Sequence, residues 1–340
     1  LHLYGKFPRP VMREGDILGH EPMGIVEEVG TEVAHVRAGD RVVIPFNIAC
    51  GACWMCRRGL QSQCEETQNR RYGKGASLFG YTHLYGAVPG GQAEYLRVPM
   101  AHYGPIKVPE GTPDERYLFL SDVLPTAWQA VAYAEIPTGG TLAVFGLGPI
   151  GQMCARIALH RGAERVIGVD QVPERLAMAQ RHGVETVDFG AVGDVVTVMR
   201  EMTDGRGADS VIDAVGMEAE GSSVERVLQA AKVQVDRLHA LRLSHDSVRR
   251  GGTLSITGVY AGYANLFNLG DLFDRQITIR MGQANVRRWA DEILPLLERE
   301  DDPLGVMDLT THRLSLTDAP RAYEMFQAKR DGAIKVVLVP

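Results

Sequence analysis

The sequence predicts an α/β protein built on a parallel, doubly wound sheet, and three observations carry that prediction. From about Thr126 onward, short apolar strands alternate with helical patterns, the arrangement that produces parallel sheets. One of these strands, Leu142–Phe145, runs directly into Gly146-Leu147-Gly148-Pro149-Ile150-Gly151, and a helical pattern follows. The next strand ends in an acid, Asp170, 24 residues after Gly146.

The elements follow in order. Residues 17–48 read as β structure with turns: the apolar runs Ile25–Val29 and Arg41–Pro45 are separated by breakers such as Ala-Gly-Asp. A cysteine-rich lobe runs from Cys50 to Cys64. The polar, Gly-rich stretch Glu65–Gly91 reads as a long loop, and strand character returns at Ala93–Val98 and Pro105–Val108. Beyond Leu142–Phe145 come a helix (Ile150–Arg161), a strand (Arg165–Val169) and a helix (Glu174–His182). Strands follow at Ser210–Val215, Gly252–Ile256 and Ile277–Met281. Trp289–Glu300 and Ala319–Lys329 are amphipathic helices, and Ile334–Val339 is a closing strand. Residues 222–250, polar and in places basic, read as a helical insertion between two core strands.

The 340 residues suffice for two domains. A formal net charge of −6 argues against a broad basic surface for nucleic acid. No apolar run approaches the ~20 residues that span a bilayer, and no signal peptide is visible, so the expected location is cytoplasmic. The first residue is Leu1, so the chain reads as starting inside a longer gene product.

In the glycine turn, Gly146 permits the tight bend, Gly148 lets backbone approach a pyrophosphate and Gly151 lets the helix pack on the strand. The helix N-terminus, opening at Pro149 and Ile150, presents free N–H groups to phosphate. Asp170 stands where a carboxylate accepts ribose hydroxyls. A 2′-phosphate there would meet like charge, so NAD is expected over NADP. Arg175 could stack near the adenine or reach a phosphate. Together these make a Rossmann dinucleotide-binding unit.

Four of the five cysteines, Cys50, Cys53, Cys56 and Cys64, lie within 15 residues. Such clustering favours metal over disulfides. Four thiolates close a tetrahedral shell around zinc, which makes a structural site; an iron–sulfur cluster is the other ion such a set could hold. Cys154, on the helix after the glycine turn, reads as a small core residue.

Gly19-His20-Glu21, the four-cysteine lobe and the cofactor unit, taken together, resemble the zinc-containing medium-chain alcohol dehydrogenases over essentially the whole chain. Pro45-Phe-Asn-Ile-Ala-Cys50-Gly, Leu78-Phe-Gly-Tyr81, Gly90-Gly-Gln-Ala-Glu-Tyr-Leu-Arg-Val-Pro99, Leu120-Ser-Asp-Val-Leu-Pro-Thr126 and Asp213-Ala-Val-Gly-Met-Glu218 look like the glutathione-independent formaldehyde dehydrogenase branch.

The resemblance implies a GroES-like β-barrel catalytic domain over residues 1–124 and 285–340, and a Rossmann domain over 125–284. It implies a catalytic zinc held by a Cys, by His20 and by Asp122, with Glu21 able to approach the ion. The expected Cys would precede Leu1, as would the family's first strands. His2 matches the proton relay, and Thr126 the nicotinamide side of the entry to the cofactor domain. Gly216, Gly258 and Val259 lie where the sheet edge meets the cofactor, and Lys335 is a candidate for the pyrophosphate. The implied reaction moves hydride between NAD and a small alcohol or hydrated aldehyde, formaldehyde included. Alternatives are a threonine or polyol dehydrogenase of the same fold, or a non-catalytic, zinc-stabilised NAD-binding protein. By the same resemblance the chain is a homodimer or homotetramer.

Overall fold

The computed structural model describes residues 12–216, 238–260 and 268–340. The chain forms two compact units: Leu1–Thr126 with Gln283–Pro340, and Ala127–Gly282.

In the first unit, β1 (Met23–Ile25), β2 (Arg41–Val43) and β3 (Ile106–Lys107) form a small antiparallel sheet. Val36, Val42, Ile44, Ile48 and Phe79 fill its core. A short helix, α1 (Glu115–Leu118), and a 3-10 turn lead into α2 (Val123–Ala134).

The second unit is one six-stranded sheet. Its strands are β4 (Thr141–Phe145), β5 (Arg165–Asp170), β6 (Glu185–Asp188), β7 (Ala208–Asp213), β8 (Val248–Ile256) and β9 (Thr278–Met281). The spatial order is β6-β5-β4-β7-β8-β9, every pair parallel. The strand order, not the strand direction, reverses between β4 and β7, which is the Rossmann order and puts the ligand crevice at the carboxyl ends of those two strands. Ala143, Val144, Ile167, Val211, Ile212 and Leu254 are wholly buried, as expected for strands covered on both faces. The helices α3 (Pro149–His160), α4 (Pro173–Arg181) and α5 (Val195–Glu201) serve the β4–β7 half of this alternation. In the first unit, β10 (His312–Ser315) pairs in parallel with β11 (Val336–Val339), and helices Val286–Leu297 and Ala319–Gln327 complete it.

Three expectations need correction. Residues 93–98 form no strand: a strand needs a neighbour to complete its ladder, and no described segment pairs with them in a sheet. The stretch 222–250 is not all insertion. Its described part holds the helix His239–Ser247, which buries Leu241 in the sheet core, and then enters β8. Parallel β7 and β8 require such a crossover; residues 217–237 lie outside the described residues. The strand Glu185–Asp188 and the helix Val195–Glu201 escaped the periodicity reading because, at four and seven residues, both are too short to show a period. Among the described residues no helix is long and apolar enough to cross a membrane.

Candidate active site and metal centres

The cysteine lobe closes on itself. The Sγ atoms of Cys50 and Cys56 are 4.0 Å apart, as are those of Cys53 and Cys64, and all four lie within 4.8 Å of one another. A zinc ion about 2.3 Å from each sulfur needs edges of about 3.8 Å, so the four donors fit a tetrahedral ion with a contraction of at most about 1 Å along any edge. Backbone N–H groups of Cys53, Cys56 and Cys50 point at the sulfurs of Cys50, Cys53 and Cys64 at 3.3–3.4 Å. Such donors stabilise thiolate. Burial opposes ionisation of Cys53, yet the N–H groups of Cys56 and Glu65 outweigh it and bring the thiol down to about 7. Burial pushes Cys50 up. The lobe is tied to its unit by Ser62 N–H donating to Asn285 Oδ1 at 2.9 Å and Asn47 Nδ2 donating to the Ala284 carbonyl at 2.6 Å.

The second cluster assembles across 102 residues. His20 Nε2 and Asp122 Oδ2 are 2.9 Å apart, and with Glu21 their donor atoms lie within 4.8 Å of one another. Both residues are partly buried, and the His20 and Phe46 rings pack in an edge-type contact, with centroids 5.9 Å apart and planes at 67°. Asp122 sits just ahead of α2, so Thr126 lies one helical turn on; its hydroxyl donates to Asp122 Oδ1 at 2.5 Å. One carboxylate oxygen is thus fixed by the hydroxyl, and the other faces the imidazole. Burial disfavours charge on both, but each steadies the other: Asp122 lies below the usual carboxylate range and His20 above the usual imidazole one. An imidazole nitrogen and a carboxylate oxygen held this close are donors that zinc accepts.

Glycines set the backbone that carries His20. Gly19 has φ +91°, and a Cβ there would lie 2.5 Å from Gln92 Cγ. A Cβ on Gly80 or Gly90 would fall 2.3 Å from the Gly19 carbonyl oxygen. Gly90, Gly91 and Gln92 N–H groups bond the carbonyls of Ile17, Gly19 and Leu18 at 2.8–2.9 Å. These glycines stood in the motifs quoted above, but no local pattern reveals that they grip one another. The other feature missed is Lys335. Its side chain is 14% exposed, and its ammonium bonds both oxygens of Glu21 at 2.6 Å. A lone lysine on a strand carries no signal of such a partner.

In the second unit, the turn after β4 has its expected geometry. Gly146 adopts φ +86°, and a Cβ on Gly151 would lie 1.8 Å from the Gly146 carbonyl oxygen. α3 opens at Pro149 with Gly148 as its cap, so the amide of Ile150 lies at its free N-terminus. Asp170 Oδ2 accepts the Leu147 N–H at 2.7 Å, and Oδ1 accepts those of Gln171 and Val172 at 2.7 and 2.9 Å. Arg175 Nη1 lies 3.5 Å from Asp170 Oδ2 and 3.9 Å from a Cβ built on Gly148. The guanidinium thus stands over the glycine turn. Gly216 and the Gly258-Val259 backbone meet in van der Waals contact. His2 lies outside the described residues.

Comparison with known proteins agrees with this geometry. Residues 2–110 match the family described as the alcohol dehydrogenase GroES-like domain, and residues 149–235 match the zinc-binding dehydrogenase family. A zinc-type alcohol dehydrogenase-like protein of Bacillus subtilis, AdhB, is 43% identical over 100% of this chain and 89% of its own. Formaldehyde dismutase of Pseudomonas putida is 30% identical over 100% of this chain and 86% of its own. Among solved structures, alcohol dehydrogenase TADH from Thermus sp. ATN1 superposes with TM-score 0.78 at 33% identity, covering 96% of this chain and 84% of that one. A zinc-binding dehydrogenase from Sinorhizobium meliloti 1021 bound to NADP gives TM-score 0.72 at 26% identity, over 95% of this chain and 83% of that one. The chain belongs to the zinc-containing medium-chain alcohol dehydrogenase superfamily, and is a zinc-type alcohol dehydrogenase-like oxidoreductase.

Proposed function

We propose that this protein oxidises a small alcohol, or the hydrate of a small aldehyde such as formaldehyde, with NAD as hydride acceptor. The observation that carries the reading is the 2.9 Å approach of His20 Nε2 to Asp122 Oδ2, two donors 102 residues apart. When bound, zinc supplies Lewis acidity to a substrate oxygen and the dinucleotide supplies the hydride acceptor.

The chain's own residues do the rest. His20 and Asp122 hold the ion. Thr126 keeps the Asp122 carboxylate in the orientation that turns Oδ2 inward. Phe46 walls the imidazole from one side. Lys335 neutralises Glu21, which keeps a second free carboxylate from competing for the ion. Cys50, Cys53, Cys56 and Cys64 hold a structural zinc that fixes their lobe.

NAD is favoured over NADP because Asp170, rigidly held by three amides, presents negative charge where a 2′-phosphate would lie. A relative bound to NADP makes this preference a matter for measurement. Gly146, Gly148, Pro149, Ile150 and Gly151 receive the pyrophosphate, and Arg175 screens it. The protein acts as a homodimer or homotetramer. The test is a turnover panel of formaldehyde, ethanol, benzyl alcohol, threonine and sorbitol with NAD and with NADP. Turnover of small alcohols or formaldehyde with NAD supports the proposal; turnover of threonine or sorbitol alone, or of nothing, overturns it.

A further inference from the structure

Asp213 ends β7 at the crevice side of the sheet and is wholly buried. Burying a carboxylate is costly unless its oxygens are satisfied, and here every one is used. Oδ1 accepts the N–H groups of Val215 and Gly216 at 2.9 and 3.3 Å. Oδ2 accepts the hydroxyl of Tyr260 at 2.5 Å. The Asp213 carbonyl accepts the N–H groups of Thr257 and Gly258 at 3.0 and 2.8 Å. One residue therefore fastens the turn after β7 to the segment after β8.

That turn touches the glycine motif. Ala214 N–H donates to the Phe145 carbonyl at 2.9 Å, and a Cβ on Gly146 would lie 2.7 Å from Val215 Cγ2. A Cβ on Gly258 would fall 2.3 Å from the Gly216 nitrogen. The backbone segments 145–146, 214–216 and 257–260 thus lie against one another at the β4–β7 switch point, and a shift in one displaces the next.

We propose that Tyr260 and Asp213 are positioning residues for the dinucleotide: the hydroxyl-to-carboxylate bond holds the 214–216 turn, and through it the Gly146 turn, in the shape that accepts the cofactor. The proposal rests on the reading that this sheet edge carries the dinucleotide. No atom of Tyr260 need touch the cofactor for it to act.

The test is a fluorescence titration of NADH onto the full chain, its Tyr260→Phe variant and its Asp213→Asn variant, with thermal melts and steady-state kinetics alongside. Tyr260→Phe removes one oxygen. Losing a hydrogen bond to a charged group corresponds to roughly tenfold in affinity, so NADH is expected to bind about tenfold more weakly. KM for the dinucleotide rises by the same factor, kcat at saturation stays within about twofold and KM for the alcohol does not move. Asp213→Asn, which keeps an acceptor for Val215 and Gly216, is expected to weaken NADH in the same direction. NADH affinity unchanged in Tyr260→Phe overturns the proposal. So does loss of a cooperative melt in both variants, since the pair would then be a requirement for folding. If the parent chain itself fails to bind NADH or NADPH, the cofactor reading falls, and the positioning role falls with it.

Discussion

At the scale of single residues, the Asp122 carboxylate shows how neighbours fix the orientation of a side chain proposed as a metal ligand. A free carboxylate offers either oxygen in several orientations; here the Thr126 hydroxyl fixes Oδ1 and leaves Oδ2 beside His20. Groups that orient a metal ligand typically govern 10–100-fold in metal affinity. Thr126→Val is therefore expected to weaken zinc at this site by about 10–100-fold, while Thr126→Ser restores it; chelator competition measures both. Equal affinity in all three proteins would reduce Thr126 to a helix-end contact. Asp170 makes the matching case for the cofactor. Replacing it with Ser removes the charge that a 2′-phosphate would meet, so the ratio of NAD to NADP turnover is expected to fall by about tenfold or more. A ratio that stays put would show that Arg175 or another group decides the preference. Asp170 and the four cysteines could be read from the sequence because they stand in motifs whose spacing reflects a chemistry, whereas His20 and Asp122 were singled out only by the family resemblance; the structure brings that pair to 2.9 Å and the four sulfurs within 4.8 Å of one another. Lys335 and Tyr260 could not be read so, because each acts through a partner more than forty residues away that no local pattern names.

Among the elements, the segment holding His20 depends on backbones that pass too closely for side chains. A Cβ on Gly90 would lie 2.3 Å from two carbonyl oxygens, those of Leu18 and Gly19. Neither is the tip of a flexible side chain, so the main chain itself must move. Gly90→Ala is expected to destabilise the first unit by about 1–3 kcal/mol and to lower turnover further, by displacing the imidazole. Denaturant unfolding with parallel kinetics separates the two effects. The central strands β4, β5, β7 and β8 were legible because they are largely buried and read as apolar runs, whereas β6, with one buried residue, was not. The 93–98 stretch misled because its alternation suits a strand, whereas strand formation depends on a partner. The helix His239–Ser247 was mistaken for an insertion because its apolar face, with Leu241 inward, is diluted by basic and polar residues.

For the whole molecule, the two metal sets differ in kind. The cysteine lobe gathers four sulfurs and a few small apolar side chains, Ala49 and Ala76 among them, and has little core of its own. Its fold should therefore follow the metal. Prolonged chelation, or Cys64→Ser, is expected to open the lobe to proteolysis near residues 50–64 and to lower the melting temperature; a lobe that resists protease after the metal is gone would contradict this. The His20–Asp122 site stands on glycine-packed backbone and a helix start, so losing its ion should abolish turnover and leave the melting temperature within a few degrees. The measurement that bears most directly on the account is the zinc content of the protein expressed from its own gene, with NADH formation from a small alcohol followed on the same samples. The account predicts two zinc ions per chain in the parent, one in the His20→Ala/Asp122→Ala double variant, and loss of NADH formation with the second ion. Equal zinc in both proteins, or undiminished NADH formation by the double variant, would contradict it.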